Sequence, residues 1–145
     1  MRLLALDIGE RRIGLAVSES GLLATPHSVL LRKSKQEDFD RLQRLITTLK
    51  IEQVIVGLPY SLTGPDELGP QARRIKRYAE ALADTLSVPL EFFDESYSTV
   101  DAAAYLADTG STAEQRSFAP RRSKAPLDAA AAAVILQNYL NSRSA

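Results

Sequence analysis

Four acidic residues fall where regular segments of the chain begin or end. Asp7 closes the apolar run Leu3–Leu6, the Asp94-Glu95 pair closes Leu90–Phe93, and Asp128 opens an alanine-rich segment. A strand buried on both faces rarely carries charge in its middle, so such a carboxylate belongs at the strand's rim, fixed in place yet able to meet solvent. Asp128 shares a helical face with Ala132, Ile135, Leu136 and Tyr139, which turns it toward the core side rather than into water. Carboxylates drawn together repel one another and hold their protons more tightly unless a cation compensates. Hard oxygen donors without His or Cys suit magnesium or manganese. Two such ions about 4 Å apart can activate water for in-line attack on a phosphodiester. Each residue also has an ordinary alternative: a turn residue for Asp7, a strand-ending pair for Asp94-Glu95, a helix-dipole partner for Asp128. Their joint placement is what points to a metal centre.

Cations adjoin two of these positions. Arg11 and Arg12 follow Asp7, and Arg116, Arg121, Arg122 and Lys124 crowd the stretch before Asp128. A phosphate backbone brought into the site requires such neighbours. Arg73, Arg74, Lys76 and Arg77 form a third group, one turn of helix deep, which reads as a solvated face. Gln71, at the start of the same helix, either hydrogen-bonds a substrate or caps the helix. Phe118, Tyr60 and Tyr97 lie near the expected site as core anchors or base-stacking platforms, and His27, inside an apolar run, reads as structural.

The elements that must position these residues follow from hydrophobic period. Leu3–Leu6, Ile13–Glu19 and Leu22–Arg32 predict a three-stranded antiparallel meander, its second turn at Ser20-Gly21. Phe39, Leu42, Leu45, Ile46 and Leu49 recur at helical spacing behind Ser34. Val54–Val56 predicts a strand stopping at Gly57-Leu58-Pro59, and a turn-rich loop runs on to Gly69-Pro70. A helix with Ala72, Ile75, Ala79, Leu82, Ala83 and Leu86 inside leads to the strand Leu90–Phe93. A short helix over 98–107, a loop over 110–124 and a helix from Pro126 to Tyr139 complete the chain. This order predicts an α/β fold: a mixed five-stranded sheet, antiparallel meander first and parallel strands after, flanked by helices.

Composition narrows the chemistry. At 145 residues, 45% apolar and 25% charged, the chain reads as one globular domain over residues 1–145. It has no cysteine and a single histidine, which excludes disulfides, thiol catalysis and His-rich zinc sites. No run of about 18 apolar residues is present, so no membrane partner is expected. The absence of a signal-peptide pattern makes a cytoplasmic location the expectation. Net charge is zero, so any affinity for a polyanion has to come from where the cations sit.

Five segments taken together resemble the RuvX/YqgF family. They are Leu6–Ser18 (Leu-Asp-Ile-Gly-Glu-Arg-Arg-Ile-Gly-Leu-Ala-Val-Ser), Val56–Pro59, Gly69–Ala72, Phe93–Thr99 and Lys124–Ala131. The resemblance implies a ribonuclease H-like fold and a metal-dependent nuclease using Mg2+ or Mn2+. It implies a substrate of structured nucleic acid, either the small-subunit ribosomal RNA precursor or a Holliday junction. Asp7, Glu95 and Asp128 fall on the family's acidic catalytic positions, with Asp94 behind them. Arg11, Arg12, Gln71, Arg121, Arg122 and Lys124 are the expected substrate contacts. Ser96 stands where the family usually has Arg, which raises the alternative of a nucleic-acid-binding module without catalysis. Paired incision of a junction would need a symmetric homodimer. Asp7-Ile8-Gly9 followed by Gly14 also opens the phosphate-binding half of actin-like ATPases, but those proteins close nucleotide between two such domains.

Overall fold

The computed structural model describes residues 1–59, 69–94 and 125–143. The expected helix over 98–107 and loop over 110–124 lie outside these residues, as do Tyr60, Glu95, Ser96, Tyr97, Phe118, Arg121, Arg122 and Lys124. Three antiparallel strands open the chain: β1 (Leu3–Ile8), β2 (Arg12–Ser18) and β3 (Thr25–Leu31). Helix α1 (Lys35–Leu49), strand β4 (Gln53–Leu58), helix α2 (Pro70–Ala83), strand β5 (Leu90–Asp94) and helix α3 (Ala125–Arg143) follow. The strands form one five-stranded sheet in the order β3-β2-β1-β4-β5. β1 pairs with β2 antiparallel and with β4 parallel, and β4 pairs with β5 parallel. The mixed sheet predicted from the element order is therefore the one observed.

Alternation along the strands divides the core in two. Leu4, Leu6 and Ile8 of β1 join Val54, Val56 and Leu58 of β4 beneath α1 and α2. Leu3 and Ala5 point the other way, with Ala16 and Ile55, beneath α3. Cover on both faces explains why the central strands read as nearly unbroken apolar runs. Ser34 caps α1 by accepting the Glu37 N–H at 3.2 Å, and Lys50 ends it in the left-handed conformation at φ 56°.

The meander departs from expectation at Leu22–Ala24. β3 begins only at Thr25, and Leu22 and Leu23 are exposed. Their backbone is satisfied elsewhere: Ser20 Oγ accepts the Leu22 N–H, Gln137 Oε1 of α3 accepts the Ala24 N–H, and Gln137 Nε2 donates to the Leu22 carbonyl. With those groups already paired, no strand ladder is needed there. His27 is exposed on the edge strand β3, bonded to Ser28 Oγ at 2.8 Å, not enclosed by apolar neighbours.

Helix α3 lies very close to β2. A Cβ placed on Gly14 would overlap the Asp128 carbonyl oxygen and sit 2.6 Å from its carbon. Ala5, Ala16, Ala129, Ala130, Ala132 and Ala133 are all buried along the same interface. Gly14→Ala is expected to lower the unfolding free energy by about 3 kcal/mol, because backbone rather than a flexible side chain must yield. Urea unfolding beside wild type measures this, with Ala16→Gly as a substitution that adds no bulk.

Candidate active site

Asp7 is the penultimate residue of β1 and pairs across the ladder with Gly14. It shares the α3 face of the sheet with Leu3 and Ala5. Because Gly14 has no side chain, the first turn of α3 settles over it and brings Asp128 alongside Asp7. β1 also runs one residue past Asp7, to Ile8, before a tight turn closed by the Gly9 N–H to the Arg12 carbonyl at 2.8 Å. That turn places Arg12 at the start of β2, with its Nε 3.1 Å from Asp128 Oδ2.

Burial, and after it the charge of Asp128, pushes the Asp7 carboxyl up to about 6 from its usual 3.8. Asp128 Oδ2 is buried and accepts no hydrogen bond among the described residues, so Arg12 approaches it without aiming an N–H at it. A buried carboxylate oxygen with an unused lone pair is uncommon. Here it sits beside a second carboxylate and borders a cleft of about 240 Å³ lined by Gly9, Glu10, Arg11, Arg12 and Asp128. Hard oxygen donors, one of them unsatisfied, fit a divalent cation such as magnesium or manganese.

The other expected site residues separate. Arg11 and Arg12 line the cleft with Asp128. Asp94 ends β5 in register with Leu58, two residues on from Phe92, which packs beneath α1 and α2. Phe93 instead packs on the α3 side, edge-on to Tyr139 at 5.8 Å. Asp94 thus falls on the face away from Asp7. Gln71 is exposed and lines a different cleft on that opposite face, with Arg74 and Arg77. Among the described residues, no three acidic or histidine side chains gather into a metal-binding group, so Asp7 and Asp128 stand as a pair.

The raised Asp7 pKa has a sign that can be measured. Between about pH 4 and about pH 6 the folded chain keeps a proton that the unfolded chain has released, so stability falls as pH rises through this window. Asp7→Asn removes the penalty. In the presence of a chelator it is expected to stabilise the fold by about 2 kcal/mol at pH 8, with the difference vanishing below about pH 4. Urea unfolding at the two pH values checks both limits.

The family model described as "RuvX: Holliday junction resolvase" matches residues 1–142. A protein of Thermoanaerobacter pseudethanolicus named "Putative pre-16S rRNA nuclease" is 35% identical over 144 residues, covering 99% of this chain and 98% of the relative. A protein of the same name from Halothermothrix orenii is 36% identical over 142 residues, covering 97% and 95%. Among solved structures, T. thermophilus RuvC in complex with a Holliday junction substrate superposes with a TM-score of 0.56 at 19% identity, covering 99% of this chain and 96% of that one. The Fowlpox virus resolvase bound to Holliday junction DNA gives a TM-score of 0.59 at 12% identity, covering 99% of each. At such identities the structural likeness establishes the fold, that of the ribonuclease H-like resolvases. With the family match running from the Asp7 strand through α3, the chain is a member of the RuvX family of nucleases.

Proposed function

We propose that this protein is a divalent-metal-dependent endonuclease that trims the small-subunit ribosomal RNA precursor. The observation that carries this is the meeting of Asp7 and Asp128, 121 residues apart in sequence, at a strand end beside two arginines. The relatives named for pre-16S rRNA favour the RNA substrate. Asp7, Asp128 and Glu95 would hold two ions of Mg2+ or Mn2+. Glu95 is included because it falls on the acidic position of the family pattern, directly after Asp94 in sequence. When bound, the metal lowers the pKa of water and neutralises charge on the scissile phosphate.

The chain's own residues orient the reactants. Arg11 and Arg12 meet the phosphates flanking the cut, and Arg121, Arg122 and Lys124, which precede Asp128 in sequence, hold the backbone. Arg12 also keeps the Asp128 carboxylate in place before substrate arrives. The protein acts in the cytoplasm, as one domain; no described helix is long and apolar enough to cross a membrane.

A second reading, a resolvase cutting four-way DNA junctions, is favoured by the family description. It requires two copies of the site in a symmetric dimer. Cleavage of precursor rRNA and of a four-way junction, each with manganese, magnesium or chelator, separates the two. Metal-dependent trimming of the rRNA is expected, and Asp7→Asn is expected to lower its rate about 100-fold or more with the fold intact. Normal cutting by the variant, or equal cutting with chelator, refutes the metal mechanism. Preferential junction cleavage by a dimer selects the second reading.

A further inference from the structure

On the sheet face opposite the carboxylates, cations from separate elements converge on a second cleft. Arg32 follows β3, Lys35 opens α1, and Arg74 and Arg77 stand one turn apart on α2. The space is about 260 Å³ with Ile8 and Ile75 in its lining. Arg32 is held rigidly: its guanidinium lies 4.3 Å above the Tyr78 ring, and its Nη1 donates to the Gly9 carbonyl at 2.7 Å. Tyr78 is itself fixed, donating its hydroxyl at 3.1 Å to the buried carboxylate of Asp38. Lys35, Arg74 and Arg77 have no ion-pair partner among the described residues. Glu10 is the acidic residue in the lining.

We infer that this cleft binds a backbone phosphate of the nucleic-acid substrate at a distance from the scissile bond. Four cations against the single carboxylate of Glu10 leave a net positive cleft whose like charges repel one another, and a phosphodiester relieves that repulsion. A guanidinium fixed by stacking presents its planar fork to phosphate oxygens with little further ordering. Position links the two clefts. Gly9 and Glu10 line both, so the β1–β2 turn is their common wall, and a strand crossing that turn reaches the carboxylates and the cations together.

The inference rests on the nuclease reading, and a binding experiment separates the two. In an Asp7→Asn background, a fluorescent RNA hairpin with a single-stranded tail is titrated across a salt series without metal. Arg74→Ala with Arg77→Ala is expected to raise Kd about 10-fold and flatten the salt slope by about 1.4. Arg73→Ala with Lys76→Ala removes the same charge from the same helix outside the cleft, and is expected to change Kd less than about 3-fold. All four side chains are exposed, so the variants keep the fold. Equal weakening by both pairs shows a diffuse field rather than a site, and no weakening by the first pair shows no phosphate contact; either result overturns the inference. If the Asp7→Asn protein has no RNA affinity at all, the nuclease reading fails and the cleft assignment falls with it.

Discussion

The close approach of α3 to β2 at Gly14 is the constraint from which the rest of the site follows. A helix seated on a sheet normally stands off by the length of its side chains. Here one glycine and a floor of alanines let the α3 backbone settle onto the β2 backbone. Gly14 is the ladder partner of Asp7, so the point of closest packing is also the point where Asp128 arrives. Two carboxylates meet because small residues make room, not because the carboxylates attract. Their mutual repulsion is borne by the apolar contacts on both faces of the sheet.

That arrangement leaves the site under electrostatic tension. Asp7 is half-buried beside a like charge, and one buried Asp128 oxygen accepts no hydrogen bond among the described residues. Arg12 relieves part of this by proximity. A protein selected for stability alone would fill these positions with neutral residues, and strain of this kind is characteristic of places kept for function. Arg32 contributes on the other side of the turn. Its backbone N–H reaches the Arg11 carbonyl while its side chain reaches that of Gly9, so the loop joining Asp7 to Arg12 is pinned at two points.

Much of this was legible in the residues. The strand with Asp7 near its end, the helical face shared by Asp128 and Ile135, and the mixed sheet all follow from hydrophobic period, because period reports which face is covered. What escaped was set by contacts distant in sequence. Leu22 and Leu23 look like strand, but the Gln137 side chain takes the backbone groups a strand would use. Arg74 and Arg77 look like a solvated face until Arg32 and Lys35 are folded against them. Nothing local marks Arg32; its partners Tyr78 and Gly9 lie on α2 and in the first turn. Asp94 ends its strand as expected, yet on the other face, since a one-residue change along a strand reverses direction, and Gln71 opens α2, the helix that covers that other face.

The wide separation of the two carboxylates along the chain has a consequence for biosynthesis. During synthesis Asp7 is made first, and its partner Asp128 exists only after a further 121 residues have been joined. A growing chain therefore carries only one of the two facing carboxylates, and the charged pair does not exist until α3 has been made and seated on β2.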